Sequence, residues 1–356
     1  MNILYGIQTT GHGHYIRSRA TIRELKRRGH KVQAILSGPP LKGQWDVSMF
    51  DPYQVKTGFT FITEQGRVRP VKTTLSLRYF RFFKDVYSYD TKGIDLVICD
   101  FEPVTARIAQ LRGIPSIGIG HMHAFAHNIP VTKSAFYDWV LSIHAPVKYP
   151  IGLHWHHYDQ PILPPTIPPE VVPGPKTVKN KILVYMAFEE LEAVINFVKP
   201  IRTHDFYIYA KVDHAKDEDN IHIRPFSRTG FLRDLQECEG VLANAGFSLA
   251  SEALHLGKKL LLRPILKQYE HESNCVALLQ GKLGSVMPTL DTEAVREWLT
   301  FPPIQAMNYS DVINPFIDWV EKGTWWDYKQ LVADTWASSE KALEADYVSK
   351  NFGWTY

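Results

Sequence analysis

Histidine, arginine and carboxylate side chains follow two apolar segments in the first third of the chain. His14 and Arg17 lie in the stretch GHGHYIRS (11–18). Asp100 is the last residue of a later apolar segment, and Glu102 comes shortly after it. Histidine titrates near neutral pH and can take a proton from a hydroxyl group, while a carboxylate can act as the base or orient the imidazole. The sequence therefore offers His14, Asp100 and Glu102 as candidate catalytic residues.

These residues also have ordinary structural interpretations. A histidine between a strand and a helix can fill a turn, and Asp100 or Glu102 can cap a helix. His121, His123 and His127 follow the next apolar strand and raise the possibility of a metal site. No carboxylate stands at a matching spacing, so we expect no metal and favour contact of His121 or His123 with an acceptor.

A second set of candidate residues follows an apolar strand in the other half of the chain. Gly246 allows the backbone to approach a ligand closely, and a helix is predicted directly after it. The free N–H groups of Phe247, Ser248 and Leu249 suit a diphosphate because the helix dipole favours negative charge. Glu252 shares a helix face with Ser248 and can bind ribose hydroxyls. The alternative is a helix cap at Ser248 and a surface glutamate.

Alternating strand-like and helix-like segments must position these residues, with a first helix predicted at 15–28. A proline-rich stretch at 159–176 interrupts the alternation, which restarts at residue 181. Such alternation forms parallel sheets with right-handed crossovers. We predict an α/β fold of two doubly wound, Rossmann-like domains facing a central cleft, with ligands at the carboxyl ends of the strands. The predicted units are a domain at 1–158, a linker at 159–180, a domain at 181–320 and a helical segment at 321–356 that packs back.

The composition suggests a cytoplasmic globular protein. The 356 residues are 45% hydrophobic and 22% charged, and the net charge of +3 does not require a nucleic-acid partner. Three widely separated cysteines indicate reduced thiols rather than a disulfide framework. We find no signal peptide pattern and no run of about 18 to 20 apolar residues, so we expect no transmembrane helix.

The stretch 66–85 mixes cations with aromatic residues. It can lie on an anionic membrane as a peripheral contact, or it can bind nucleic acid, although no recognised nucleic-acid module surrounds it. The simplest interpretation is a helix with apolar side chains facing partly inward and solvated cations. The inward set is predicted to be Leu75, Leu77, Phe80 and Phe83, and the solvated set Arg78, Arg81 and Lys84.

The motifs of the two halves together resemble GT-B glycosyltransferases of the MurG and UDP-glycosyltransferase group. The matching positions of the second half are Gly246, Glu252, Gly257, Pro264, Glu270, His271 and Asn274. The first half is most similar to a little-characterised branch with the patterns GxGHxxRS and DFEP, which stand here at 11–18 and 100–103. The resemblance covers about residues 3–120 and 182–284.

The resemblance implies how the second half binds a sugar donor. Gly246 and Ser248 would contact the nucleotide diphosphate, and Glu252 the ribose. Glu270 and His271 would hold the donor sugar. The group has Gln where this sequence has His271, which leaves the identity of the sugar open.

The resemblance also implies roles for a nucleobase loop and for the first helix. A weaker match implies that Phe226 and Ser227 read the nucleobase. The leaving diphosphate needs N–H donors or positive charge, which the helix start at Gly13 and the side chain of Arg17 can supply. The histidine that matches His14 is a base or a substrate binder.

The implied activity is inverting, metal-independent transfer of a sugar from a nucleotide-diphosphate donor, with UDP favoured, to an acceptor hydroxyl. No cofactor is implied, and the acceptor is unknown, with glycans and lipid-linked molecules as candidates. By resemblance, the domain at 1–158 faces the acceptor and the domain at 181–320 binds the nucleotide sugar. One alternative is a nucleotide-sugar 2-epimerase on the same fold, which would form an epimer without an acceptor. Another is a non-catalytic nucleotide-sugar-binding protein, which would bind without turnover.

Overall fold

The structure is a computed structural model, and it places most of the chain. It describes residues 1–9, 12–38, 46–59, 63–64, 67–68, 78–132, 134–174, 176–345 and 347–355. Gly11 of the first motif therefore lies outside the described residues. The same is true of most of the stretch 66–77, including the predicted inward residues Leu75 and Leu77.

The first half of the chain forms a sheet of seven parallel strands in the order β3-β2-β1-β6-β7-β8-β9. The central strands are apolar and buried, as expected where helices cover both faces of a parallel sheet. A short antiparallel pair, β4 with β5, stands apart from it. The strands are β1 (Asn2–Gln8), β2 (Lys31–Ser37), β3 (Tyr53–Lys56), β4 (Thr63–Glu64), β5 (Arg67–Val68), β6 (Leu96–Asp100), β7 (Ser116–Gly120), β8 (Tyr149–Leu153) and β9 (Ile162–Leu163).

The helices in the described part of the first half are α1 (His12–Arg27), α2 (Tyr79–Tyr87), α3 (Pro103–Arg112), α4 (His121–Ala124) and α5 (Ala135–His144). Three of them, α1, α3 and α4, begin within a few residues of the end of a strand. The first helix begins three residues earlier than predicted, so Gly13 and His14 belong to its first turn rather than to a preceding loop. Pro103 suits the first position of α3, and Gly113 ends that helix in the left-handed conformation, at φ 66°.

The second half of the chain forms another seven-stranded sheet, in the order β12-β13-β11-β10-β14-β15-β16. Its strand pairs are parallel except at one edge, where β12 runs antiparallel to β13. The strands are β10 (Lys181–Tyr185), β11 (Asp205–Ala210), β12 (Lys216–Glu218), β13 (Ile221–Pro225), β14 (Gly240–Asn244), β15 (Lys259–Arg263) and β16 (Ser285–Val286). The helices are α6 (Leu191–Val198), α7 (Arg228–Glu237), α8 (Phe247–His255), α9 (Tyr269–Gln280) and α10 (Thr292–Leu299).

The last part of the chain is helical and contacts the first sheet. Its helices are α11 (Ile313–Lys322), α12 (Lys329–Trp336) and α13 (Glu340–Leu343). Helix α11 packs against α1, where Arg28 forms an ion pair with Glu321 at 3.0 Å. The indole Nε1 of Trp336 donates to the carbonyl oxygen of Ile162 at 2.8 Å. One hydrophobic cluster consequently joins residues of both sheets and of these helices.

Helix α2 turns a different face inward from the one that the sequence suggested. Phe80 is 95% exposed and Phe83 is 51% exposed, whereas Phe82 and Val86 are buried. The ring of Phe82 stacks on Phe59 with 4.2 Å between centroids. The inward pair is spaced by four residues, so one helix face packs and the other keeps its aromatic rings in solvent. Among the helices of the described residues, none is long and apolar enough to cross a membrane.

Candidate active site

A hydrogen bond joins a helix residue and a strand residue of the first half of the chain. His14 lies in the first turn of α1, and Asp100 is the last residue of the neighbouring strand β6. The Nδ1 atom of His14 lies 2.9 Å from Oδ1 of Asp100. The histidine side chain is 19% exposed and the carboxylate is fully buried. A carboxylate on Nδ1 favours the tautomer that carries its proton there, which leaves the Nε2 lone pair available as a base.

Arg17 holds the same carboxylate from the next turn of α1. Its Nε atom donates to Oδ2 of Asp100 at 3.0 Å, and its Nη2 atom donates to Oδ1 at 2.6 Å. Burial by itself would raise the pKa of the Asp100 carboxyl, but the positive charge of Arg17 and the hydrogen bonds from Arg17 and His14 hold it below the ordinary value. Asp100 is therefore ionised, and of the two roles that the sequence left open it suits the orientation of His14 rather than proton abstraction.

Glu102 takes the helix-capping role, one of the two roles that the sequence left open. It is fully buried and caps α3, and burial raises the pKa of its carboxyl. The backbone N–H groups of Val104 and Thr105 donate to it at 2.7 Å each, and the hydroxyl of Ser37 donates at 2.5 Å. These three donors hold the Glu102 side chain at the start of α3.

The first turn of α8 forms the opposite wall of a narrow cleft. The cleft is lined by Gly13, Ile16, Arg17, Pro165, Thr166, Pro168, Phe247, Ser248, Ser251 and Glu252. A Cβ atom at position 13 would lie 2.7 Å from Oγ of Ser248, so the two helix starts approach closely. A Cβ atom at Gly246 would have no protein atom within 4 Å, which leaves open space beside the helix start. The first N–H groups of a helix have no acceptor within it, so this space suits an anion.

Glu252 is a buried carboxylate in the same cleft. Burial raises the pKa of its carboxyl to about 7, although the charge of Arg228 opposes that change. The Nη1 atom of Arg228 lies 3.7 Å from Oε2 of Glu252. Near neutral pH this carboxyl therefore exchanges between its neutral and ionised forms.

The predicted nucleobase residues lie where β13 leads into α7. Phe226 is 53% exposed, and its ring meets that of Tyr185 edge to face with 5.9 Å between centroids. The hydroxyl of Ser227 accepts a hydrogen bond from the backbone N–H of Gly230 at 3.2 Å and so caps α7. The exposed ring offers a flat apolar surface to a base, while the Ser227 side chain is occupied by the helix.

The predicted sugar-binding residues lie in the first turn of α9. Glu270 is partly exposed, and His271 is buried with the ring edge-to-face on Phe188 at 6.1 Å. The Nδ1 atom of His271 accepts from the backbone N–H of Ile265 at 3.4 Å, and burial lowers the pKa of this imidazole. Both residues lie at the carboxyl edge of the second sheet, where β15 leads into α9.

The side chain of Phe247 joins the two halves. Its ring stacks on that of His121, with 3.8 Å between centroids and 4° between planes, and on Trp155 at 5.5 Å. The indole of Trp155 donates to Oγ of Ser251 at 2.9 Å. Leu249, two residues further on, is partly buried against the main hydrophobic cluster. The side chains of Phe247, Leu249 and Ser251 are thus engaged within the protein, and of these residues a ligand can use only the backbone N–H groups of Phe247 and Leu249.

Two of the histidines after β7, for which the sequence suggested contact with an acceptor, are buried and hydrogen-bonded within the protein. His121 is buried between the carbonyl oxygen of Leu153, 3.0 Å from Nδ1, and Oδ1 of Asn274, 2.8 Å from Nε2. His123 is buried with Nε2 3.1 Å from the carbonyl oxygen of Cys99. Burial lowers the pKa of both imidazoles. Within the part of the chain that the structure describes, no group of three or more His, Cys, Asp or Glu residues is arranged to hold a metal ion.

Two features of the cleft were missed by sequence reasoning. Pro165, Thr166 and Pro168 of the proline-rich segment line the cleft, and Arg228 approaches Glu252. The sequence singled out Arg228 only as the neighbour of Ser227. The proline-rich stretch was predicted to be an interdomain linker with no part in the site.

Two α/β sheets with this cleft between them have the architecture of the GT-B fold, and comparisons with solved structures agree. The glycotransferase of kitacinnamycin matches with a TM-score of 0.59 and 12% identity over 96% of this chain and 97% of that one. The calicheamicin glycosyltransferase CalG4 matches with a TM-score of 0.55 and 15% identity, over 97% of each chain. The spinosyn rhamnosyltransferase SpnG, solved with thymidine diphosphate, matches with a TM-score of 0.53 and 13% identity over 97% and 95%.

The sequence itself assigns the family. The model of Glycosyl transferase family 1 matches residues 1–139 and 153–303, which is most of the chain. The protein belongs to this family, and it is a glycosyltransferase. No curated protein sequence matches the chain.

Proposed function

We propose that this protein transfers a sugar from a nucleotide-diphosphate sugar, with UDP as the favoured nucleotide, to an acceptor hydroxyl. We further propose that the reaction inverts the anomeric centre and needs no metal or other cofactor, and that the chain belongs to the MurG-like branch of its fold. The observation that carries the proposal is the His14–Asp100 hydrogen bond next to Arg17, which holds Asp100 and lines the cleft opposite the start of α8.

The first half supplies the base in this proposal. The Nε2 atom of His14 takes the proton of the acceptor hydroxyl while its oxygen attacks the anomeric carbon. The bond from that carbon to the diphosphate breaks, and the diphosphate leaves with the electron pair. Asp100 stabilises the imidazolium that forms, as a buried carboxylate does when it is hydrogen-bonded to Nδ1.

The second half holds the donor. The N–H groups at the start of α8 and the hydroxyl of Ser248 bind the diphosphate, and Glu252 binds the ribose hydroxyls. Arg17 contributes positive charge beside the leaving group while its Nε and Nη2 atoms hold Asp100. Phe226 stacks on the base, and Glu270 and His271 contact the sugar.

A nucleotide screen followed by turnover tests the proposal. Thermal unfolding is measured with UDP, thymidine diphosphate, GDP and ADP, because a ligand that binds the folded state raises the apparent stability. UDP should give the largest rise in Tm, and a larger rise with another nucleotide would correct the base. Turnover with the matching nucleotide sugars and an acceptor panel should persist in EDTA, and NMR of the product should show inversion.

Two other outcomes would replace the proposal. Epimer formation from the nucleotide sugar in the absence of an acceptor would indicate an epimerase. Tight nucleotide-sugar binding without turnover, across a panel of glycan, lipid-linked and small aromatic acceptors, would indicate a non-catalytic binding protein.

We also propose that α2 provides a peripheral contact with an anionic membrane, where a lipid-linked acceptor would be presented. The aromatic side chains Tyr79, Phe80, Phe83 and Tyr87 are exposed on this helix, and so are Arg78, Arg81 and Lys84. Aromatic rings and cations together suit a headgroup region. Co-sedimentation with phosphatidylglycerol vesicles should fall for Phe80→Ser. Equal sedimentation of the variant would contradict the contact.

A further inference from the structure

Arg228 lies between two carboxylates that belong to different parts of the chain. It is the first residue of α7, and its side chain is 45% exposed. The Nη1 atom lies 3.7 Å from Oε2 of Glu252 in the cleft, and the Nη2 atom donates to Oε1 of Glu170 at 3.2 Å. Glu170 belongs to the proline-rich segment between the two sheets.

The second contact fixes Glu170 next to the arginine. The side-chain amide of Gln236, on the last turn of α7, donates to the backbone carbonyl oxygen of Glu170 at 3.0 Å. Helix α7 thus holds the backbone of the linker at one end and the carboxylate of Glu170 at the other. The linker carboxylate cannot move away from Arg228 without breaking these contacts.

The two carboxylates differ in their need for the positive charge. Glu170 is half exposed and stays hydrated, whereas Glu252 is 5% exposed and pays a desolvation penalty when ionised. After burial, the charges of Arg228 and Glu170 have the largest effects on the pKa of Glu252, in opposite directions. Arg17, from α1, is the other charged residue that lines this cleft among the described residues.

We propose that Arg228 is a positioning residue for nucleotide recognition, which keeps Glu252 in the ionised form that binds ribose hydroxyls, and that Glu170 of the linker restrains this effect. The inference rests on the proposed function, in which Glu252 contacts the ribose. An ionised carboxylate accepts hydrogen bonds from both ribose hydroxyls, whereas a protonated one loses acceptor capacity. Glu170 therefore contributes to donor affinity without touching the donor.

The test measures the dissociation constant for UDP by calorimetry between pH 6 and 9. The dissociation constant of each variant is divided by that of the unchanged protein at the same pH, so the effect of the titration of the UDP phosphate cancels. For Arg228→Gln we expect about threefold to fivefold weaker binding at pH 7, a larger ratio at pH 6 and no difference at pH 9. For Glu170→Gln we expect the opposite sign, with tighter binding below pH 8.

Three controls separate this mechanism from a structural effect. Arg228→Lys keeps the charge and should restore most of the affinity. Arg202→Gln removes an exposed arginine paired with Asp219 at 2.9 Å on the far side of the second sheet, and its ratio should stay at one. In a Glu252→Gln background, Arg228→Gln should no longer change the pH dependence.

Distinct results would overturn the inference. A loss of affinity for Arg228→Gln that is the same at every pH would make it a direct contact with the anionic ligand. A change in UDP affinity in the same direction for Arg228→Gln and Glu170→Gln would also contradict the inference. If the unchanged protein binds neither UDP nor thymidine diphosphate, the proposed function fails and this inference with it. If the unchanged protein binds UDP and both variants bind it with the same pH dependence, this inference is refuted while the proposed function stands.

Discussion

The guanidinium of Arg17, which lines the cleft, and the carboxylate of Asp100 form a buried, two-pronged ion pair. The donor atoms Nε and Nη2 lie 3.0 Å and 2.6 Å from the two carboxylate oxygens, and both side chains are almost inaccessible to solvent. His14 shares one of those oxygens at 2.9 Å. The pair therefore fixes the orientation of the imidazole and keeps Asp100 from serving as the base itself.

His14→Ala should lower turnover far more than donor binding. Loss of a general base typically costs about 10²-fold to 10⁴-fold in rate. The dissociation constant for UDP should change by less than about threefold, because the residues proposed to contact the nucleotide lie in the second half of the chain. Steady-state kinetics and calorimetry on the same preparation measure both quantities. Comparable losses in turnover and in binding would make His14 a substrate binder only.

Asp100→Asn should destabilise the fold as well as inactivate the protein. The substitution leaves the buried Arg17 charge without its partner, which typically costs about 3 to 5 kcal/mol in the free energy of unfolding. The double variant Arg17→Met/Asp100→Leu should recover much of that stability without recovering turnover, because it removes both charges but not the need to orient His14. Urea unfolding and kinetics distinguish the two effects. Recovery of turnover in the double variant would exclude the orienting role.

Gly246→Ala should weaken UDP binding by at least about tenfold with little change in Tm. The backbone at this position, φ −75° and ψ 140°, is accessible to alanine, and the added Cβ meets no protein atom within 4 Å. The methyl group would instead fill the space proposed for the diphosphate. Gly93→Ala is a control with the opposite expectation, because Gly93 lies in a loop away from the cleft and its φ of +76° is unfavourable for alanine. It should cost about 1 kcal/mol in stability and leave UDP binding unchanged.

Stability should fall as the pH falls from about 6.5 towards 4. Burial lowers the pKa of His123 and His144 to about 4 from 6.5, so the unfolded chain binds protons in this range that the folded chain does not. Each histidine stabilises the fold above pH 6.5 by up to about 3 kcal/mol, and this contribution is lost as the pH approaches 4. Urea midpoints between pH 4 and 8 measure the effect. His123→Asn should flatten the profile, and an unchanged slope would contradict this assignment.

The sequence was sufficient for the architecture and for the main pair of the site. Periodicity and the position of the proline-rich stretch predicted two parallel sheets, which the structure and its GT-B relatives confirm. The closeness of His14 and Asp100 was also accessible, because they follow neighbouring strands at the same sheet edge.

Contacts between distant segments were not accessible in the same way. The stacking of Phe247 on His121 depends on how the two sheets face each other, and no local pattern encodes that arrangement. Glu102 illustrates the other kind of failure. A carboxylate before a helix serves equally well as a cap or as a catalytic group, and only its three donors, seen in three dimensions, distinguish the two.

The packing of α11 and α12 on the first sheet has a consequence for the order of events during synthesis. The apolar side chains Ile22 and Leu25 of α1 belong to the cluster that Phe316 and Trp336 complete, about three hundred residues later in the chain. A nascent chain that has just left the ribosome with its first sheet formed would therefore still expose part of α1. That surface stays open to chaperones until the second sheet and the final helices have emerged.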